Sequence, residues 1–414
     1  MEFTPSPKQK RALSILTQGK NILLTGPGGC GKTSVIKYFA KQYKYRFKIG
    51  VTSTTGISAL LINGTTLHSY LGIGLGKNSA EAMVTTIFKK KYLSERWKSL
   101  EILIIDEISM LSPVLFDKLE EIARTVRRND KPFGGIQLIL SGDFCQLPCV
   151  DSDKFCFESE SWDKCIDEIV YLTDIMRQRD TNFQTCLNEI RLGDISQEST
   201  ELIESRIGKS LKNEYGIIPT KLYPLNIAVD DINKKALRKL SKKTGILYEY
   251  NIECVFNNKK TNEEKYRKFC PAVETLQLTE GCQVMLVHNL DIEMKLINGS
   301  RGVVVNFIED LPLVKFLNGE ERIIDYHTWE LEENDKKIGR ITQVPLRLGY
   351  SMSIHKSQGA TLDYAIIDLE NIFEYGMAYV ALSRLKSLEG LSIIGIEWGN
   401  VRTHPKAIKF YREI

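Results

Sequence analysis

A chain of 414 residues with 43% hydrophobic and 26% charged side chains is too long for one ordinary core and apolar enough for two or three domains. A formal net charge of +4 excludes a surface that is basic all over, so any polyanion site has to be a local stripe of Lys and Arg. Nine scattered cysteines with no C-x-x-C pair exclude a disulfide framework and point to free thiols in a reducing compartment. Cys145, Cys149, Cys156 and Cys165 lie near one another but lack the tight pairing of zinc ligands. MEFTPSPKQKR at the start has no apolar signal region, and nowhere do eighteen apolar residues run together. The expectation is a soluble, intracellular chain with no membrane partner.

Four short apolar runs, NILLTG, FKIGVTS, EILIIDE and IQLILSGD, are each followed by a turn and a helical pattern. Continuous apolar strands alternating with helices predict a parallel sheet covered on both faces, hence an α/β domain over residues 1–175. Within it, a Gly-rich piece (LGIGLG) and a basic amphipathic segment predict a small insertion at about 70–98 that projects from the domain. A second α/β pattern begins at Thr220 and resumes near residue 344, giving a second domain over 176–276 and 344–414. The stretch FNNKKTNEEKYRKF, whose Glu residues partly offset its Lys residues, reads as a solvated, charge-dense segment more readily than as a nucleic-acid contact. Between 277 and 343 the runs CQVMLV, RGVVVNF, PLVKFL and ERIIDY predict an all-β insertion, with Asn318-Gly319 signalling a hairpin turn of the primed type.

The run GPGGCGKTS, from Gly26 to Ser34, follows a strand and opens a helix, which separates a phosphate-binding loop from a plain flexible turn. Gly26, Gly28, Gly29 and Gly31 let backbone N–H groups face phosphates, Lys32 reaches the β and γ phosphates, and Thr33 holds Mg²⁺. Asp106 and Glu107 close the strand ILIIDE at the sheet edge where ligands bind. Alone they would read as a helix cap. Beside a phosphate loop, Asp106 holds Mg²⁺ and Glu107 orients and deprotonates the attacking water. LILSGDFCQLP likewise ends in Asp143 and Gln146; Gln146 can bond the γ-phosphate or the lytic water, or be a satisfied loop amide. Arg177 in DIMRQRD and Arg384 in YVALSRL, both outside residues 1–175, are arginine-finger candidates, although helix arginines are usually surface residues.

Taken in order, these strings resemble the Pif-type (petite integration frequency) DNA helicase family of superfamily 1B, beside the RecD-like enzymes, from about Pro7 to the C-terminus. GPGGCGKTS matches motif I, VTSTTGISALLINGTTLHSYLGIGLG motif Ia, LIIDEISML motif II, and KPFGGIQLILSGDFCQLP the family signature with motif III. LTDIMRQRD stands for motif IV, SMSIHKSQGATLD for motif V and YVALSRLKSLEGL for motif VI. Met176 replaces a usual aromatic and Cys149 a common second proline; neither removes a charged or metal-binding group. Many members of that family carry long tails, whereas this sequence starts almost directly at the core, so regulatory or targeting functions housed in such tails are not assumed.

The resemblance implies two RecA-like domains with parallel sheets, a wedge insertion near Leu71 to Lys91 and an SH3-like β insertion. It implies ATP and Mg²⁺ as cofactors, with Gln9 reading adenine and Ser34 and Gly359 among the nucleotide-binding residues. Single-stranded DNA would be held by Thr54, Thr55, Gly56 and His68 on the first domain and by His355, Lys356, Ser357 and Gln358 on the second. The two histidines taken alone would read as buried structural residues. The implied activity is 5′ to 3′ translocation and unwinding of duplex or forked DNA by a monomer, in replication, repair or recombination. Two rivals are an ATP-dependent single-strand clamp without processive unwinding and a small-molecule kinase, which would have no use for Gln146 or the SIHKSQG string.

Overall fold

A computed structural model describes every residue except 1, 2, 151, 212–216, 258–266, 268, 269, 292, 295, 297, 334 and 335. The charge-dense stretch 256–269 falls almost wholly outside the described residues. The chain divides into two compact units, Met1–Arg179 with Asn188–Asp194 and Arg402–Ile414, and Asp180–Leu187 with Ile195–Val401.

In the first unit, β1 (Ile22–Thr25), β2 (Ile49–Ser53), β3 (Thr65–Thr66), β4 (Ile102–Asp106), β5 (Gln137–Gly142) and β6 (Glu168–Tyr171) form one sheet in the order β3-β2-β4-β5-β1-β6. Every neighbouring pair is parallel. Alternation along the strands divides the apolar residues between two cores. Leu23, Leu103, Ile105, Leu138 and Leu140 enter one, while Ile22, Leu24, Ile102, Ile104 and Ile139 enter the other. The covering helices are α1 (Pro7–Thr17), α2 (Lys32–Tyr43), α3 (Gly56–Leu61), α4 (Leu67–Leu71), α5 (Ala80–Lys89), α6 (Lys91–Ser99), α7 (Pro113–Arg127) and α8 (Trp162–Cys165). Ser6 and Gln9 close a capping box that starts α1, and Ser112 followed by Pro113 starts α7.

The insertion at 70–98 is anchored on the core of the first unit. Helices α5 and α6 bury Met83, Ile87, Leu93 and Trp97 in the same core as Phe116 and Leu119 of α7, because their apolar positions fall on one face. Leu75 in the preceding loop stays 81% exposed. The C-terminal segment, expected with the second α/β domain, belongs to the first unit.

Helix α9 (Thr181–Leu192) is divided between the units after Leu187. The second unit continues with α10 (Gln197–Glu204), β7 (Thr220–Tyr223) and α11 (Asn226–Thr244), then β8 (Tyr248–Asn251), β9 (Glu253–Phe256), β10 (Thr275–Leu278), β11 (Gln283–Leu286), β12 (Arg301–Ile308), β13 (Leu311–Phe316), β14 (Glu321–Ile323), β15 (His327–Glu333), β16 (Lys336–Gln343) and β17 (Leu346–Leu348). It closes with β18 (Ser351–Ser353), β19 (Ala365–Leu369), α12 (Met377–Leu382) and β20 (Leu391–Ile396), and α13 (Pro405–Glu413) returns to the first unit. Strands β18-β7-β19-β20 form a parallel sheet, and the intervening strands form antiparallel sheets β14-β13-β12-β11-β17, β15-β16-β9 and β10-β8. The β insertion thus draws in strands on both sides of 277–343, since β8 and β9 pair with β10 and β16 and β17 pairs with β11.

The Asn318-Gly319 hairpin is not of the primed type. Gly319 has φ +88° but Asn318 is not among the positive-φ residues, and Phe316 bonds both Gly319 and Glu320. That is a three-residue loop with glycine in the left-handed position of a bulge, the next most common solution for joining two twisted strands.

Candidate nucleotide and nucleic-acid site

Gly26–Ser34 runs from the end of β1 into α2. Gly29 and Gly31 both have φ +83°, and a Cβ at Gly31 would strike the Gln9 amide. Gly31 caps α2 without any side-chain bond, which leaves first-turn N–H groups for an outside acceptor. The Lys32 ammonium donates to the carbonyl oxygens of Gly26 and Pro27 at 2.7 and 2.9 Å, so the cation sits on the loop. Gln9 is buried; its Nε2 donates to Cys30 O at 3.2 Å and its Oε1 accepts from Ser6 N at 3.0 Å. It braces the loop while capping α1.

Asp106 ends β4, buried, with Oδ1 accepting from Ser141 Oγ at 2.8 Å. Burial pushes its carboxyl up, against the pull of the Ser141 hydrogen bond and of the Lys32 and Lys37 charges. A divalent cation would reverse that push, and a buried carboxylate with a threonine hydroxyl is the hard-oxygen donor set that Mg²⁺ takes. By donor chemistry, the Asp106 carboxylate and the Thr33 hydroxyl fit that ion. Glu107 follows at φ +55°, ψ +48°, a left-handed conformation uncommon for a side chain of this size.

Thr54 and Thr55 follow β2. The Thr54 N–H donates to Asp106 O at 3.2 Å and its hydroxyl to Glu107 O at 2.9 Å. Thr55 Oγ1 accepts from Ser58 N at 3.2 Å and so caps α3, which begins at Gly56. His68 on α4 is half-buried, and burial pushes its imidazole down toward the neutral form.

Arg177 lies in the first unit, not outside it as the sequence suggested. The Met176 N–H donates to Gly29 O at 2.9 Å, and a Cβ on Gly29 would lie 2.7 Å from that of Arg177. The strap 176–177 is therefore fastened to the phosphate loop. Gln146 is buried and its N–H donates to Asp143 O at 3.0 Å.

In the second unit, Arg384 is only 2% exposed; its Nε donates to Val380 O and its Nη2 to Ser383 Oγ, each at 2.9 Å. His355 Nε2 meets Glu374 Oε2 at 3.0 Å. Lys356 is exposed, whereas Ser357 is fully buried and donates its hydroxyl to Ile354 O at 2.7 Å. Gln358 is 5% exposed and its buried Nε2 has no partner among the described residues. Gly359 follows at φ +76°.

Sequence reasoning missed the group that holds Asp143. Both Asp143 and Arg191 are 0% exposed, with Arg191 Nε on Oδ2 and Nη2 on Oδ1 at 2.9 Å each. The Arg191 guanidinium also lies 4.2 Å from the Tyr411 ring centroid. No local pattern could reveal this, because Arg191 stands 48 residues from Asp143, and Tyr411 bonds Phe144 across 267.

The sequence matches the PIF1-like helicase family over residues 8–201 and the family described as DNA helicase Pif1, 2B domain, over 267–307. The ATP-dependent DNA helicase PIF1 of Xenopus laevis is 38% identical over 99% of this chain, which spans 64% of that relative's length. The crystal structure of Pif1 helicase from Candida albicans has a TM-score of 0.82 at 34% identity, covering 99% of both chains. Bacteroides Pif1 in complex with ADP-AlF3 and single-stranded DNA has a TM-score of 0.69 at 28% identity, covering 100% of this chain and 97% of its own. With two RecA-like α/β parts, a β insertion and relatives of this similarity, the chain belongs to the Pif1-like helicase family.

Proposed function

We propose that the chain is an ATP-dependent DNA helicase that hydrolyses Mg-ATP, moves 5′ to 3′ on single-stranded DNA and separates duplex or forked DNA. The reading is carried by one observation: Asp106 ends β4, and Lys32, Glu107 and Gln146 follow the C-terminal ends of β1, β4 and β5, which are adjacent parallel strands. Lys32 and the first turn of α2 take the β and γ phosphates, with Gln9, Gly26, Gly28, Gly29, Gly31 and Ser34 shaping the nucleotide site. Thr33 and Asp106 would hold Mg²⁺, which would supply charge neutralisation at the phosphates. Glu107 takes the proton of the attacking water, and Gln146 contacts the γ-phosphate or that water. Arg177 and Arg384 supply charge to the transferring phosphoryl group, Arg384 through relative movement of the RecA-like domains.

Thr54, Thr55, Gly56, His68, His355, Lys356, Ser357 and Gln358, with Gly359 on the nucleotide side, link the DNA strand to turnover. The insertion containing α5 and α6 is the wedge, and the β insertion helps clamp the strand. The polarity rests on family membership alone, and a monomer is the working unit. The test is strand separation on duplexes carrying either a 5′ or a 3′ single-stranded tail. Unwinding of the 5′-tailed duplex alone is expected. Unwinding only from a 3′ tail refutes the polarity, and DNA-stimulated ATP turnover without any strand separation refutes the helicase reading.

A further inference from the structure

We infer that Tyr411 and Arg191 are positioning residues for ATP turnover, locking the end of β5 to the end of β1 so that Gln146 is held in register with the phosphate loop. The inference rests on the ATPase reading of that site. Thr25 is the last residue before Gly26, and its hydroxyl donates to Gly142 O at 2.9 Å. Having spent its only proton there, Thr25 Oγ1 must accept from the Tyr411 hydroxyl at 2.5 Å. The Tyr411 oxygen in turn accepts from Phe144 N–H at 3.0 Å.

The result is a directed chain from Phe144 through Tyr411 and Thr25 to Gly142, tying both sides of Asp143 to the start of the phosphate loop. Asp143 itself is gripped by Arg191 and by Cys145 N–H at 3.2 Å, and its carbonyl receives Gln146 N–H. From elsewhere in the described chain, this loop is held by the side chains of Arg191 of α9, Tyr411 of α13 and Thr25. Phosphate binding by Lys32 and the α2 N-terminus does not need this chain, whereas alignment of Gln146 does. A misplacement of about 1 Å at a reacting centre costs up to about 10²-fold in rate.

The experiment is steady-state ATP hydrolysis, saturated with single-stranded DNA, by the full chain and by Tyr411→Phe, Thr25→Val and the double variant, with thermal melts of each. Tyr411→Phe keeps the ring over Arg191 and removes only the hydroxyl. We expect kcat to fall about tenfold with KM for ATP within about twofold. The double variant should be no slower than the slower single, since both delete one device. A Tyr411→Phe kcat within about twofold of the parent below its melting transition overturns the inference, as does a double variant whose losses multiply. A purely structural role would lower Tm and leave kcat unchanged. Lys32→Ala separates the two readings: a parent without DNA-stimulated turnover sinks the ATPase reading and this inference with it. A parent that turns over, a Lys32→Ala variant that does not and a Tyr411→Phe variant that matches the parent refute the lock alone.

Discussion

Replacing Arg191 by Met strands the Asp143 carboxylate in a site where neither side chain of the pair has any exposure. Removing one partner of such a pair costs about 3–5 kcal/mol, since the remaining charge is desolvated without compensation. For a domain of about 150–250 residues each kcal/mol shifts Tm by about 2–4 °C, so a drop of about 6–20 °C is expected. Trp97 and Trp162, in the core of the same unit, report its urea unfolding by fluorescence. The double substitution Asp143→Leu with Arg191→Met replaces the pair by apolar groups and should recover at least about 2 kcal/mol of the loss.

The sign of the pH dependence distinguishes this account further. Burial pushes the Asp143 carboxyl up, but the Arg191 charge and hydrogen bonds outweigh it and hold the carboxyl below its ordinary value. In the parent the pair's contribution is therefore complete above about pH 4 and is lost as pH falls through the depressed folded value. Without Arg191 only the upward push of burial and the weaker pull of Lys32 and Cys145 remain. The folded carboxyl then sits above the unfolded one, and the variant regains stability as the pH falls. The gap between parent and variant should narrow from pH 7 to pH 5. A gap below about 1 kcal/mol at pH 7, or one that widens on acidification, would refute the reasoning.

Lys32→Ala should lower DNA-stimulated ATP turnover by at least about 10²-fold with single-strand affinity largely intact, measured by hydrolysis and by fluorescence anisotropy. Arg384→Ala should do the same, and retained DNA binding shows that loss of its bonds to Val380 and Ser383 has not unfolded the second unit. Gly31→Ala places a side chain at φ +83° and against the Gln9 amide, so affinity for a fluorescent ATP analogue should fall about tenfold or more. Single-strand affinity should decline steeply and linearly in log–log form with salt; a flat response would exclude a phosphate-tracking surface.

The fold class was legible because parallel strands buried on both faces leave a strong trace. ILIID and LILSG read as strands from their composition, and they lie side by side in the sheet. Boundaries set by long-range pairing left no such trace. Tyr248–Asn251 looks like a fragment of the second α/β pattern until Thr275–Leu278 pairs with it. The amphipathic stretch after LGIGLG marked an insertion but revealed neither its division into two helices nor their partner, since an apolar face does not say which surface will cover it. Pro405–Glu413 illustrates the same limit: sequence proximity placed it with YVALSRL, whereas Ala407 and Phe410 pack into the first unit's core.

At the site, what could be read was residue type at a strand's end, and what could not was the bonding between ends. Asp106 and Glu107 stood out as paired carboxylates, yet nothing in DEIS reveals that Glu107 takes a left-handed backbone or that its carbonyl is held by Thr54. That bond joins the segment after β2 to the segment after β4 at 2.9 Å, with Thr54 N–H reaching Asp106 O beside it. Under the proposed function, a phosphate gripping the 54–56 turn loads the peptide that carries the water-orienting carboxylate. A residue held in a sparsely populated conformation is poised to respond to such a load, because the surrounding bonds, not its own preference, keep it there. DNA stimulation of turnover then needs no long relay through the core: one hydroxyl and one amide span the distance between strand grip and chemistry.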